Sequence, residues 1–231
     1  MKIGTNQISS IYLGTNKISK AYLNGHNVYS DEPTGDPNTL LLMHFDNNMT
    51  DSSLYSGRNG ISYNTGTIGY TEGKFAEEVH SSSLVYLNFS NFSDFLSDLN
   101  KNNEFTIEFW GDWANLFKFK FATSISQHCV YEARTSKDFY YGLPTNSGGT
   151  GQTGSYAVDR VNKYHIAFIW YNGVVKVYVN GTAQGTTSNL TTGFSGTLSE
   201  FSFNNIDELR ISNVARWTSN FNGNLPTQPY N

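Results

Sequence analysis

Two glutamates on one predicted strand are the nearest approach in this sequence to a catalytic carboxylate pair. Glu104 and Glu108 flank Thr106 and would share one face of a β-strand, where side chains alternate with a period of two. Glycoside hydrolysis needs two carboxylates about 5–10 Å apart around the scissile bond. A polar strand face is also what a solvated sheet or the lining of a groove requires, and we favour that interpretation.

Nucleophilic and phosphate-binding motifs are no better supported. Cys129 follows His128, but adjacent residues of a strand point to opposite faces, so a thiol–imidazole pair would diverge. A small cysteine buried in a β-core is the favoured interpretation. Residues 148–151 (GGTG) look like a phosphate loop but lack the following Lys-Ser/Thr and a βαβ setting. The sequence therefore predicts a protein that is not an enzyme.

The composition narrows the class of protein further. Of 231 residues, 15% are charged and 15% are aromatic, while Asn, Ser and Thr make up about a third. The low charge argues against a coiled coil, and the aromatic content argues against disorder. The net charge of −4 argues against nucleic-acid binding, which favours a basic surface. One Cys excludes an internal disulfide and a Cys-based zinc site.

Neither a membrane span nor an export signal is predicted. No apolar run approaches the ~18 residues of a transmembrane helix. The N-terminus has no apolar core of the kind that secretory signals carry. We therefore expect a protein that is not inserted into a membrane and that either acts without Sec export or has had its signal removed.

A short internal repeat with a ten-residue period opens the chain. Residues 4–13 (GTNQISSIYL) are followed by 14–23 (GTNKISKAYL) and by a degraded copy, 24–29 (NGHNVY). Each copy is typical of a turn followed by a short β-prone run. So few strands bury little surface by themselves. We predict that residues 1–30 dock onto another protomer or a larger assembly, with a small β-meander folded onto the main domain as the alternative.

The rest of the chain is predicted to be a linker and one all-β domain. Residues 31–37 contain two Pro, one Gly and three acids but no apolar residue, which indicates a linker. Residues 38–231 hold many short β-prone runs separated by Gly- and Asn-rich turns. The clearest strands are 40–45, 84–89, 105–110, 164–171, 174–179 and 206–212.

Local signals within this domain are specific. Asn172-Gly173 and Asn180-Gly181 follow β-rich runs and predict type I′ hairpin turns, in which both central residues need φ > 0. Residues 164–171 are apolar on both faces, as expected of a strand buried between two sheets. One helix is predicted at residues 94–99, with Ser93 as its N-cap.

The domain resembles the laminin-G-like jelly roll of the concanavalin A-like lectin/glucanase superfamily. Six short motifs occur in the family's order over most of the domain: 41–46 (LLMHFD), 51–53 (DSS), 105–110 (FTIEFW), 164–167 (YHIA), 177–181 (VYVNG) and 206–212 (IDELRIS). The resemblance implies an all-β jelly-roll β-sandwich. The Glu-x-Asp-x-x-Glu strand of the superfamily's glucanases is missing, which again predicts no hydrolase.

The C-terminal segment adds a biological context. Residues 214–218 (VARWT), Asn220-Phe221 and residues 226–230 (PTQPY) resemble a tail that is frequent on such domains in bacteriophage tail and virion proteins. The N-terminal repeat also resembles repeats on phage structural proteins. A phage protein matures in the bacterial cytoplasm, which fits the absence of a signal and of disulfides.

Glycan binding is what the resemblance implies for function. Sugars stack their apolar faces on exposed aromatic rings and offer hydroxyls to polar side chains. The candidate platforms are Trp113, Tyr140, Tyr141 and Tyr156, the last three flanking a segment, 144–155, that we expect to be a long flexible loop. Trp217 is expected to seal the end of the sandwich. Most aromatic residues of a sandwich lie in its core, and that is the alternative for each candidate.

A calcium site is the metal centre that the resemblance suggests. By their positions in the motifs, Asp46, Asp51 and Asp207 are the candidate Ca²⁺ ligands, since Ca²⁺ takes six to eight oxygen ligands. The alternative is structural: Asp46 would accept backbone N–H groups, Asp207 would cap a turn, and Arg210 would pair with Glu208. No other cofactor is expected.

Taken together, these features predict a non-enzymatic phage virion protein, a tail or head fibre or a decoration. It would assemble in the host cytoplasm and display a lectin-like domain to surface glycans. Residues 1–30 would contact other virion proteins, and a homo-oligomer is expected because many weak sites act together. The alternatives are a purely structural virion protein and a bacterial carbohydrate-binding module.

Overall fold

The structure is a computed structural model of the chain. It describes residues 2–3, 6–7, 11–13, 16–18, 20–23, 26–30, 35–64, 68–122, 127–133, 138–146, 148–155 and 162–230. The chain divides into two compact units, Met1–Gly35 and Asp36–Asn231. Within the described ranges, no helix has both the length and the apolar character needed to cross a membrane.

The first unit contains three small antiparallel strand pairs. Each pair straddles one of the repeated turn sequences, so the ten-residue period of the sequence appears as three successive hairpin-like pairs. They are β1 (Lys2–Ile3) with β2 (Asn6–Gln7), β3 (Ile11–Leu13) with β4 (Asn16–Ile18), and β5 (Lys20–Leu23) with β6 (His26–Ser30).

The second unit is built almost entirely from antiparallel strands, as the sequence predicts. Its strands join into one 13-stranded sheet that curls on itself into a jelly-roll β-sandwich. In chain order the elements are β7 (Thr39–Met43), α1 (Ser56–Asn59), β8 (Ile61–Asn64), β9 (Ile68–Glu72), β10 (Glu77–Ser81), β11 (Val85–Phe89), α2 (Phe92–Asn100), β12 (Phe105–Ala122), β13 (Gln127–Ala133), β14 (Asp138–Thr145), β15 (Gly148–Ser155), β16 (Tyr164–Tyr171), β17 (Val174–Val179), β18 (Thr182–Asn189) and β19 (Thr197–Ser212).

Two long strands belong to both layers of the sandwich. The first half of β12, up to Gly111, pairs with β16, and its second half, from Leu116, pairs with β13. β19 runs beside β12, with a register shift between Gly111 and Leu116 where the strands bend. Layer A therefore contains β7, β16, β17 and β18 beside the first half of β12. Layer B contains β8, β11, β13, β14 and β15 beside the second half.

Period-two alternation places the aromatic residues between the layers. Phe105, Ile107 and Phe109 of β12 are fully buried and face the core from layer A, and Phe117 and Phe119 of the same strand face it from layer B. Burial of one large apolar side chain stabilises the fold by about 1.5–3 kcal/mol. This phenylalanine-rich core is therefore what holds the two layers together.

The predicted turns and helix are present. Asn172 and Gly173 have φ of 50° and 73°, and Asn180 and Gly181 have φ of 46° and 72°, the left-handed values that a type I′ turn requires. α2 extends beyond the predicted residues 94–99 at both ends, and its N-cap is Asn91 rather than Ser93. It buries one apolar stripe against the core.

One predicted loop is wrong. The segment 144–155 was expected to be a long flexible loop, but its residues lie mainly in β14 and β15, which pair over eight successive positions. Residues 148–155 (GGTGQTGS) contain no apolar side chain, so hydrophobic alternation could not reveal the strand. Backbone pairing with β14 defines it instead.

Candidate functional site

Glu104 and Glu108, the carboxylate pair suggested by the sequence, both accept hydrogen bonds from groups of the protein itself. Glu108 is fully buried on the outer face of layer A, not solvated as expected. Its carboxylate accepts hydrogen bonds from Arg210 Nε (2.8 Å) and lies 3.0 Å from His165 Nε2. Glu104 accepts a hydrogen bond from the Ala215 amide at 3.1 Å. Glu104 therefore holds the C-terminal segment onto the sheet, whereas Glu108 joins β12 to β19 and β16, with Arg216 Nε of the C-terminal segment 3.7 Å from its carboxylate.

The C-terminal segment closes the outer face of layer A. Residues 214–230 lie across this face, and the Tyr230 ring sits 4.1 Å from the Arg210 guanidinium carbon. The Tyr230 hydroxyl is 2.9 Å from His165 Nε2, and its backbone amide donates to Glu208 at 2.9 Å. The apolar outer face predicted for residues 164–171 is thus covered by this segment, not by a second sheet.

The buried charges around Glu108 and Glu208 are balanced by ion pairs and hydrogen bonds. Burial alone would raise the pKa of Glu108, but hydrogen bonding from His165 and the charge of Arg210 hold it below its usual value. Hydrogen bonding to Glu208 raises the pKa of His44, whose Nδ1 lies 2.9 Å from that carboxylate. Arg210 bonds to Glu108, so the alternative pairing of Arg210 with Glu208 is wrong.

The three candidate calcium ligands each have protein partners. Asp46 accepts the Glu77 amide at 3.2 Å. Asp51 accepts amide hydrogen bonds at the outer edge of β7. Asp207 accepts the amides of Lys74 (2.7 Å) and Phe75 (3.2 Å).

The described structure shows no cluster of ligands for the calcium ion that the sequence predicts. Within the described part of the chain, no three side chains of the types His, Cys, Asp and Glu gather into a group that could hold a metal ion. Burial raises the pKa of Asp207 to about 7, against the two amide hydrogen bonds that lower it.

Of the four candidate glycan platforms, only Tyr140 and Tyr141 have side chains within the described structure, and these two face opposite sides of β14. Tyr141 is only 2% exposed and packs in the core, so its ring is not accessible for stacking. Tyr140 is half-buried on the opposite face of β14, towards the outside of layer B. Trp113 lies within β12, but its side chain falls outside the described structure, as does the whole of Tyr156.

Cys129 occupies the core position that the sequence suggests. It is fully buried, and burial raises the pKa of its thiol well above the usual value. It lies opposite Phe119 in the register, whereas the neighbouring His128 lies opposite Lys120 on the other face of the strand. The interpretation as a structural cysteine is confirmed.

A small aromatic cleft lies on the outer face of layer A, where the β16–β17 hairpin meets the C-terminal segment. Its volume is about 200 Å³. The residues that line it are Ile169, Tyr171, Asn172, Val174, Lys176, Tyr178, Trp217 and Thr218. We call this site the hairpin cleft.

Two aromatic side chains give the hairpin cleft its walls. The Tyr171 side chain is 37% exposed, although the sequence pattern predicted burial. The Trp217 indole stacks on Phe221, with ring centroids 4.1 Å apart and planes 12° apart. The hydroxyl of Tyr178, which also lines the cleft, is protonated at neutral pH like any tyrosine and can donate a hydrogen bond. Aromatic walls with a few polar groups are typical of ligand sites.

The sequence contains a partial signal for this cleft. Tyr171 directly precedes the predicted Asn172-Gly173 turn, so it stands at a strand end, where exposure is common. Trp217 was expected to seal the sandwich end, and it does pack on the outer face beside Ala167 and Ile169. The two residues are 46 positions apart, and only the path of the C-terminal segment brings them to one cleft.

A larger hollow lies along one face of α2. Its volume is about 670 Å³, and Phe89, Phe92, Leu96 and Leu198 give it an apolar lining with Asn and Ser at the rim. It carries no charged side chain among the residues that line it. Its chemistry favours no particular ligand.

Comparison with known proteins supports the fold. No protein-family model and no curated protein sequence matches the chain. The botulinum neurotoxin serotype D binding domain matches with a TM-score of 0.56 at 12% identity, covering 80% of this chain and 50% of that chain. The binding domain of botulinum neurotoxin DC in complex with SialylT matches with a TM-score of 0.52 at 13% identity, with the same coverage of 80% and 50%.

A second kind of protein shares the fold. Trypanosoma rangeli sialidase in complex with 2,3-difluorosialic acid matches with a TM-score of 0.51 at 12% identity, covering 81% of this chain and 33% of that chain. The chain thus spans about half the length of the toxin domains and a third of the sialidase. At these identities the likeness establishes the fold alone: a concanavalin A-like jelly-roll β-sandwich.

Proposed function

We propose that the chain is a non-enzymatic bacteriophage virion protein, a tail or head fibre or a decoration, whose jelly roll binds surface glycans. The observation that carries glycan binding is the hairpin cleft. It combines two accessible aromatic side chains, Tyr171 and Trp217, with hydrogen-bonding groups from Asn172 and Thr218. A pyranose ring needs this combination, since it has apolar C–H faces and a rim of hydroxyls.

The cleft rests on a rigid frame. β16 and β17 pair without register shifts over six positions, and the turn between them has the geometry that a type I′ hairpin requires. The C-terminal segment that carries Trp217 is fixed by the buried network around Glu108. Preorganised walls reduce the entropy that a ligand must offset on binding.

Matched structures are consistent with a sugar-binding role for the fold. The toxin binding domain was solved in complex with SialylT, and the sialidase with a difluorosialic acid. Catalysis by a sialidase requires residues that this likeness does not transfer. We propose a binding domain because protein groups already engage both acids: the Ala215 amide bonds to Glu104, and Arg210 and His165 engage Glu108.

The virion role rests on the sequence. The C-terminal residues 214–230 and the N-terminal repeat both resemble segments of phage structural proteins. In this proposal residues 1–30 contact other virion proteins, and several copies act together so that weak sites add up. Light scattering of the full chain and of a chain lacking residues 1–30 tests this: an equal number of subunits in both would rule out homo-oligomerisation through the segment.

The decisive test of glycan binding compares two exposed tyrosines. Tyr171→Ala removes one wall of the hairpin cleft. The control is Tyr86→Ala: Tyr86 is 43% exposed on layer B, so its loss removes a similar exposed ring away from the cleft. On a glycan array, we expect Tyr171→Ala to lose signal by about tenfold, equivalent to ~1.4 kcal/mol, and Tyr86→Ala to bind like the natural chain. Absence of binding by the natural chain would favour a purely structural virion protein.

Calcium remains a separate proposal. Asp46, Asp51 and Asp207 would ligate Ca²⁺ through carboxylate lone pairs that their amide hydrogen bonds leave open, since an ionised carboxylate has about four such sites. Isothermal titration with Ca²⁺, and thermal unfolding with and without a chelator, test the site. A rise in the unfolding midpoint with Ca²⁺ that Asp51→Asn abolishes would support it.

A further inference from the structure

The charge in the hairpin cleft points to a particular class of saccharide. Lys176 is the one ionisable side chain among the lining residues that is charged at neutral pH, and no carboxylate lines the cleft. The hairpin cleft is thus positively charged, although the chain as a whole carries a net charge of −4. We infer that the hairpin cleft binds an anionic saccharide, a pyranose bearing a carboxylate, through Lys176. This inference rests on the proposed glycan-binding function.

Strand register places Lys176 in the middle of the cleft. Lys176 lies directly opposite Ile169 on β16, and Val174 and Tyr178 flank it on the same face of β17. The alternate residues Val175 and Val177 point into the core. The aliphatic part of Lys176 therefore packs among the apolar side chains of the cleft floor, while its ammonium group stays available at the cleft.

Lys176 differs from the other half-buried lysines of the domain. Lys118 and Lys120 both pair with Glu200, at 3.4 and 3.0 Å, and Lys163 lies near Glu78 and Asp112. Across the part of the chain that the structure describes, Lys176 has no such acidic partner. A half-buried ammonium group without a protein counter-ion is free to pair with a ligand carboxylate, in a charge-assisted hydrogen bond about twice as strong as a neutral one.

The cleft can hold the two parts of such a ligand at once. Tyr171 and Trp217 are positioned to contact the apolar face of a pyranose ring, and Lys176 the carboxylate on its edge. Asn172 and Thr218 remain for the ring hydroxyls. The arrangement therefore selects for negative charge in addition to ring shape.

The test uses a pair of ligands that differ only at C6 of the ring, where one carries a carboxylate and the other a neutral hydroxymethyl group. Methyl β-glucuronide and methyl β-glucoside are titrated into the full chain, and binding is followed by tyrosine and tryptophan fluorescence and by calorimetry. We expect the glucuronide to bind about tenfold more tightly at low salt, and this preference to shrink as salt rises, because ion pairs at partly exposed sites are screened.

Two variants assign the preference to the cleft. Lys176→Gln replaces the cation by a shorter, neutral, unbranched side chain and is expected to abolish the preference for the glucuronide over the glucoside. Lys101→Gln, at an exposed lysine beyond α2, removes the same charge elsewhere and should bind both ligands like the natural chain. A preference that survives Lys176→Gln would overturn the inference.

The outcomes separate this inference from the proposed function. If both ligands bind equally and Tyr171→Ala weakens both, glycan binding stands and the anionic class is wrong. If Tyr171→Ala and Lys176→Gln leave binding unchanged, the site is elsewhere and both assignments to the cleft fail. If neither ligand binds at millimolar concentration, where weak monosaccharide sites are still detected, the inference also fails.

Discussion

Replacing Glu108 by Gln should destabilise the domain more than any other single polar change in the sandwich. The buried carboxylate receives Arg210 through Nε and a second guanidinium nitrogen, at 2.8 and 2.7 Å, and His165 at 3.0 Å. Gln keeps the volume and one acceptor oxygen but leaves the guanidinium without its counter-charge. Breaking one partner out of a buried ion pair costs about 3–5 kcal/mol.

This magnitude is large enough to measure cleanly. For a domain of this size, 1 kcal/mol corresponds to about 2–4 °C in the unfolding midpoint, so we expect a fall of roughly 6–20 °C. Urea titration should show a lower midpoint with an unchanged slope, the pattern of lost stability without altered compactness. Tryptophan fluorescence follows the transition, since Trp217 belongs to the C-terminal segment and packs on the outer face of layer A.

A neighbouring glutamate on the same chain segment is the control. Glu104 is half-buried and accepts one hydrogen bond, from the Ala215 amide. Glu104→Gln retains an acceptor at that position, so its cost should stay below about 1 kcal/mol. Equal effects of the two substitutions would refute the view that the buried network, rather than general packing, fixes the C-terminal segment.

Three further substitutions probe other contacts. Burial raises the pKa of Asp207 to about 7, so the natural chain loses stability as the pH rises from about 4 through 7. In Asp207→Asn this loss should disappear, and the free energy of unfolding should depend less on pH. At pH 8 the variant should therefore be the more stable of the two by denaturant titration. Gly181→Ala should cost about 1–3 kcal/mol, because Gly181 has φ of 72° and an added Cβ would lie 2.5 Å from the Asn222 amide nitrogen. Tyr230→Phe removes the hydroxyl beside His165 and should lower the free energy of unfolding by about 1–2 kcal/mol. The same denaturant titration measures it, and an unchanged midpoint would show that this hydrogen bond contributes nothing.

Local sequence signals predicted much of the fold. Residues 164–171 and 174–179 coincide with β16 and β17, because strongly apolar runs bounded by Asn-Gly leave few alternatives. The motifs 105–110 and 206–212 marked only one half of β12 and of β19. Their other halves continue past a bend into the second layer, and a bend of this kind depends on long-range packing.

The candidate site was harder to predict. Stacking partners were sought at Tyr140 and Tyr141, but adjacent residues on a strand face opposite sides, and Tyr141 is buried in the core. Tyr171 and Trp217 come together only because the C-terminal segment folds back across layer A. No periodicity within a short window reports such a contact between residues 46 positions apart in the sequence.

The pairing of β7 with β19 has a consequence for synthesis on the ribosome. β7 is the first strand of the sandwich to be translated, and all five of its residues are buried in the finished fold. Its partner, β19, is among the last segments made, and the register joins Leu42 to Arg210. Throughout translation the nascent chain must therefore carry an unpaired apolar strand. Products that terminate before residue 206 should aggregate or require a chaperone, which expression of truncated chains can reveal.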